Sequence, residues 1–206
     1  MRRMRKKLTV NWFGVGFGVL MLILPFAGYW WRAEVGSGAA SLSMSPFNFD
    51  VNVVGIQIHS TLVRYILLFA KISFLIAGVF AILGSLFADR WWAGRLIRFG
   101  VMKPLWSVVT LIVVLVAGTF FVNMVLPSIV SGMVRDGPTQ INLRVPLLCG
   151  TSESNITAGN VTVRTTISVG FLTPFLLAIA AAVLGILTRI YQKRFAKKET
   201  AKSKKE

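Results

Sequence analysis

The sequence predicts a membrane all-α bundle of four transmembrane helices carrying a small extracytoplasmic antiparallel β-sheet, and three observations predict it. The apolar residues fall in four long blocks, the basic residues fall in alternate segments between them, and the two remaining loops alternate apolar and polar residues with period two. The chain has 206 residues, 55% of them hydrophobic, with a mean hydropathy of +0.70. A soluble core of that composition would scatter its apolar residues among charged ones.

The blocks run from Val10 to Trp31, Leu62 to Phe87, Leu105 to about Val130, and Ile167 to Tyr191. A hydrocarbon core of about 30 Å takes roughly 20 residues of helix to cross, because bare backbone groups find no water there. Each block meets that length. Tyr29, Trp30 and Trp31 at the end of the first, and Trp91, Trp92 and Trp106 around the second connection, suit the interface where amphipathic rings settle. The basic start followed by an apolar run also matches a secretory signal, with Gly38, Ala39 and Ala40 as a cleavage site, but the run is long for one.

The net charge of +16 points to topology through its distribution and not to a nucleic-acid partner. Five basic residues lie in residues 1–7, four between Asp89 and Lys103, and eight from Arg189 onward, so 17 of the 23 occupy alternate segments. Arg32, Arg64, Arg135, Arg144 and Arg164 belong to the other two loops. The positive-inside rule puts the basic segments and both termini in the cytoplasm of a multi-pass protein of the cell membrane, where they face anionic lipids. Within the connection, Trp91, Trp92, Arg95, Ile97 and Arg98 fit a short amphipathic helix lying on the inner surface.

Both outer loops read as strands. Phe47, Phe49, Val51 and Val53 alternate with Asn48, Asp50 and Asn52, and Ile56 and Ile58 with Gln57 and His59. Ile141, Leu143 and Val145 alternate with Asn142 and Arg144, and Val161 and Val163 with Thr162 and Arg164. Val54-Gly55 is a poor hairpin turn, since a β-branched residue resists positive φ, so a bulged or bent strand is the expectation there. Ile56–Leu62 aligns without gaps with Val161–Ile167, which suggests an internal duplication of a helix, β segment, helix unit; chance likeness of two alternating strands is the competing account. The organisation is then a basic N-terminus (1–9), two such units (10–100 and 101–191) and a lysine-rich tail (192–206).

In topology alone the layout is similar to tetraspan families such as claudins. Those families carry a Trp-Gly-Leu-Trp motif and a cysteine bridge in the first outer loop, whereas this chain has one cysteine, Cys149, in the second, and no family is assigned. Asn155-Ile-Thr157 and Asn160-Val-Thr162 are acceptor patterns for N-glycosylation and lie in the predicted outer loop. Their use would mean a eukaryotic or archaeal surface glycoprotein, and the near absence of cysteine favours the archaeal one.

Chemistry is sparse: one His, one Cys and seven acids, none of the acids inside a block. Metal centres, haem held by two histidines, proton relays and general acid or base catalysis need such residues in clusters, so neither a cofactor nor an enzyme is expected. Lys71 asks for an explanation, because an ionised group near the midplane is costly unless it faces the bundle, water or a partner, or snorkels along its flexible stem. Arg64, Lys71, Gly78 and Ser85 recur every seven residues on one stripe, and Asn123 is the candidate polar partner inside the chain. Gly14 with Gly18, and Ala181 with Gly185, permit close helix approach, while Pro25, Pro127 and Pro174 interrupt three blocks. The expected function is a non-catalytic membrane subunit or scaffold that binds other membrane proteins or itself. The alternatives are a channel or transporter for a small anion using Arg64 and Lys71, and a lipid-modifying enzyme working through Asp50, His59 or Glu153.

Overall fold

In the computed structural model the described residues are 10–36, 38–88, 90–125, 139–142, 144–158 and 161–203. They hold four α-helices: α1 (Trp12–Ile23), α2 (Thr61–Leu86), α3 (Ala93–Phe120) and α4 (Thr173–Ser203). Three of them, α2, α3 and α4, are long and apolar enough to cross a membrane, consistent with a membrane protein. The chain divides into two compact units, one of 1–27, 68–108 and 176–206, the other of 28–67 and 109–175. Both units draw residues from α2 and α3, so they cut across the two sequential halves.

The first unit is helical. Asn11 caps α1, its side chain accepting from the Gly14 N–H at 3.3 Å. A 3-10 turn at Leu24–Phe26, with buried Pro25, ends α1 after about four turns. The first apolar block is therefore a shorter helix than its sequence suggests, because Pro25 stops it and the chain turns off at Gly28, whose φ of +103° suits glycine. Small residues let the helices close. A Cβ on Gly18 would stand 2.5 Å from Ile82 Cγ1, and one on Gly14 would collide with Ser85 Oγ. Gly185 of α4 lies against Phe17, and Gly100 of α3 against Ala77 and Ala81. The connection 87–92 leads directly into α3. The expected surface helix is instead the first turns of α3, with Ile97 buried against Gly84. Pro104 lies inside α3, and Pro174 in the first turn of α4 where a missing N–H costs nothing. Pro127 lies outside the described residues.

The second unit is built on seven strands: β1 (Trp31–Val35), β2 (Ala40–Met44), β3 (Phe49–Val53), β4 (Ile56–Gln57), β5 (Thr139–Asn142), β6 (Gly150–Ala158) and β7 (Val161–Phe171). Their order is β4-β3-β2-β1-β7-β6-β5, antiparallel throughout. Two meanders, one from each loop, join where Trp31 pairs with Phe171 and Val35 with Ile167. β3 and β7 form where the alternation is expected, although in β3 the apolar Phe49 and Val53 are 43% and 41% exposed. β1 and β2 are not among the expected strands, although Trp31, Ala33 and Val35, and Ala40, Leu42 and Met44, alternate with polar residues, whereas β6, Gly-Thr-Ser-Glu-Ser-Asn-Ile-Thr-Ala, is too polar to show a periodic apolar face.

Several expectations change at this level. Trp30 and Trp31 are 0% and 5% exposed, so they are core residues and not lipid-facing anchors. Ile167 is buried in β7, and α4 starts only at Thr173. Val54-Gly55 is a tight two-residue turn after all, with φ of +53° and +80°, held by the Gly55 N–H on Asn52 Oδ1 at 2.9 Å and by the Val54 N–H on Ala39 O at 2.7 Å. The two aligned heptapeptides fold differently: Ile56 and Gln57 form an edge strand and Thr61 already opens α2, whereas all of Val161–Ile167 lies in β7, inside the sheet.

Candidate functional site

The stripe through Gly78 and Ser85 is the face that α2 turns to α1. Gly78 packs on Gly18 O and Leu22, and Ser85 sits against Gly14. Lys71 lies two turns before Gly78 on that stripe. Because α1 runs antiparallel to α2 and Leu22 already reaches Gly78, α1 ends about one turn farther on, near the level of Ser73. Lys71 therefore stands on the α1 side of α2, just past the end of α1. Its side chain is half-buried there.

A second lysine was missed in the sequence. Lys103, counted with the basic connection, is the eleventh residue of α3, and its ammonium donates a hydrogen bond to Ser73 Oγ of α2. The ammonium also sits 4.8 Å from the centroid of the Phe99 ring. The antiparallel register explains this. Gly84 meets Ala93 and Ile97, Gly100 meets Ala77 and Ala81, and one further turn brings Lys103 opposite Ser73. Counting outward from the short connection at 87–92 would have revealed it, since residue 103 must climb about as far along α3 as residue 76 descends along α2. Two turns closer to the connection, Arg95 lies over Trp91 at 5.0 Å, continuing a ladder of cation and ring spaced by four residues.

The other candidate residues separate. Arg64 is exposed in the first turn of α2. Asn123 lies in a π turn (Phe121–Val125) that follows α3, and its amide is committed to backbone: Nδ2 donates to Val145 O at 2.9 Å and Oδ1 accepts from Val145 N at 2.8 Å. Thr119 donates to Leu147 O at 3.1 Å one turn before. Asn123 is thus the clamp that fastens residues 145–147 to the end of α3. Asn155 is exposed in β6, paired with Asn142 and Arg164, and Asn160 lies outside the described residues. The ladder of β3 and β4 continues through the Ile58 N–H to Val51 O, which brings His59 to the register position of Asp50, with no ion pair between them. Burial pushes the Tyr29 phenol above its usual value, and the Asp50 carboxylate adds to that. Among the described residues no three of His, Cys, Asp and Glu gather.

A buried polar knot closes the other end of the helical unit. Asn11 N donates to Ser85 O at 2.9 Å, Asn11 Nδ2 to Thr188 O at 3.3 Å and Gln192 Nε2 to Ala88 O at 3.0 Å, so three helices share one network. Ser85 and Thr188 spend their hydroxyls on Ala81 O and Leu184 O of their own helices. These bonds tie the N-cap of α1 and the C-terminal end of α2 to the middle of α4. The knot is structural.

No protein-family model matches this chain. A search of curated proteins likewise gives no relative. The site's chemistry therefore rests on its geometry.

Proposed function

We propose that this chain is a non-catalytic integral membrane subunit or scaffold that crosses the cell membrane four times, with both ends cytoplasmic and the sheet outside. It binds other membrane or surface proteins, or a second copy of itself, through the sheet and the faces of α2 and α3. Anionic lipids accompany its basic cytoplasmic segments, and Asn155 and Asn160 are its glycan acceptors.

The observation that carries this reading is how far exposed apolar helix continues on α2 and α3. Leu62 and Phe69 of α2 are 70% and 72% exposed, and Phe120 and Met124, at and just past the end of α3, are 60% and 62% exposed. Lipid accounts for such surface only within its own thickness. With its π turn, α3 is 33 residues long, about 50 Å, against a core of about 30 Å that a helix tilted by about 20° crosses in roughly 32 Å. Even if the first turns, with Arg95 and Arg98, lie among the headgroups, about 40 Å remain from Phe99 to Val125. The excess needs a protein cover, because large exposed apolar patches mark interaction surfaces. α1 with its 3-10 turn, 15 residues in all, cannot supply it.

The test is the mass of the protein extracted from its own membrane in mild detergent. A complex of fixed stoichiometry, with a second chain or a second copy, is expected, and Phe120→Ser with Met124→Ser should dissociate it while leaving helicity unchanged. A monomer, in both the native and the substituted protein, overturns the reading.

A further inference from the structure

We propose that Lys103 is the docking point for a transmembrane helix of a partner protein that carries an aspartate or glutamate at matching depth, an inference that rests on the membrane-subunit reading. Three observations lead there. First, the ammonium is held deep. Ser73 lies about 18 Å along α2 from Thr61 and about 20 Å from Leu86, and Lys103 about 15 Å along α3 from Ala93, so the ammonium sits well inside the ends of both helices. Its contact with Ser73 and Phe99 places it at that level instead of at the end of an outstretched stem. Second, its visible partners are neutral, a hydroxyl and a ring face. No acid occurs between residues 51 and 88 or between 90 and 135, and the first in α4 is Glu199, far down the basic tail. The charge that completes this site must come from outside the helices of this chain, because an ionised group in hydrocarbon is costly without a counter-ion.

Third, the surroundings suit a helix. Phe69, Ile72 and Ile76 form an exposed apolar ridge along α2 beside Ser73, and Phe99, Met102 and Trp106 form another on α3. Lys103 and Ser73 lie at the foot of the groove between those ridges. A helix seated there buries apolar side chains on both walls and aims one carboxylate at the ammonium. A phospholipid could offer the charge but not the depth, since its phosphate stays at the membrane surface. Lys71 takes no part in this: Lys71 and Ser73 lie on different sides of α2, and Lys71 is on the α1 side.

The test uses the full chain in phosphatidylcholine vesicles with a dye on Cys149, its single cysteine. Synthetic Leu/Ala transmembrane peptides carrying a second dye have Asp, Asn or Leu at the centre, and association is read by energy transfer. The Asp peptide should bind about tenfold more tightly than the Asn peptide, the scale of a good polar contact between membrane helices. Lys103→Gln should erase that difference and Lys103→Arg should keep it, with helicity checked by circular dichroism for each. Equal binding of the Asp and Asn peptides, or a preference that survives Lys103→Gln, overturns the proposal. So does loss of the preference when phosphatidylglycerol is added, which would assign the ammonium to a lipid phosphate. Equal, Lys103-independent binding of all three peptides would end the carboxylate inference while leaving the apolar docking surface intact. Failure of the membrane-subunit reading itself shows separately, in the mass of the extracted protein.

Discussion

Trp30 and Trp31 are neighbours in sequence, both buried, and differ in one hydrogen bond. Trp31 Nε1 donates to Leu148 O at 2.9 Å, while Trp30 Nε1 is buried without a partner among the described residues, its ring set edge-on to Phe47 at 5.7 Å. Replacing a bonded donor costs the bond and strands its acceptor, whereas removing an unsatisfied donor relieves a penalty. Trp31→Phe should therefore destabilise the protein by about 1–2 kcal/mol more than Trp30→Phe, although Trp30 is the more deeply buried. Unfolding in denaturant would measure both, and the reverse order would contradict the argument. Residue identity made these rings visible in the sequence, and their position beside a span made them look like interface anchors. Only the pairing of β1 with β7 shows that the sheet buries them.

At the scale of elements, the β3–β4 turn shows how tertiary demand overrides propensity. Val54 holds a φ of +53°, where its Cβ crowds the carbonyl and where Asn or Gly fits with less strain. The pairing of Val53 with Ile56 leaves only two residues for the turn, so Val54 accepts it. Val54→Asn should raise stability by about 1 kcal/mol, read as a shift of the unfolding midpoint with an unchanged slope. Periodicity revealed β3 and the first part of β7, since those segments carry Val on one face. It could not reveal β6, whose Ser, Thr and Asn are placed in a strand by their neighbours; β1 and β2 do alternate, but their five-residue runs come at and just after the end of the first apolar block and resemble its end and its loop. The long helices were legible from hydropathy. Their ends were not, because Pro25 ends α1 early, Pro104 is tolerated inside α3, and the last apolar block turned out to share its residues between β7 and α4.

For the whole molecule, the proposed orientation makes one outcome expected. Cys149 is exposed and should react with a membrane-impermeant maleimide from outside intact cells, and should stay unlabelled from the cytoplasmic side of inverted vesicles. Labelling with the opposite sidedness would reverse the topology. The candidate site divides in the same way between what one sequence shows and what it hides. Lys71 stood out because no other charged residue lies within six positions of it on either side. Lys103 did not, since it follows Arg90, Arg95 and Arg98 and precedes Pro104, and so resembles the last charge of a loop. The register of α2 against α3, which moves it opposite Ser73, comes from Gly84, Gly100, Ala77 and Ala81 meeting across the helix pair. Asn123 changed role for a similar reason, as its amide meets the Val145 backbone and not a lysine.

By itself the sequence determined that this chain carries helices long and apolar enough to cross a membrane, roughly where they lie, which segments are basic, and that strands form in its loops. These follow from the transfer cost of side chains and from local backbone preference, which a residue carries wherever it is. The tertiary structure alone decided the strand order, the joining of the two loops through β1 and β7, the depth of Lys103 and the commitments of Asn123 and Trp31. Those depend on which surfaces meet, and contacts between residues distant in the chain leave no periodic trace along it.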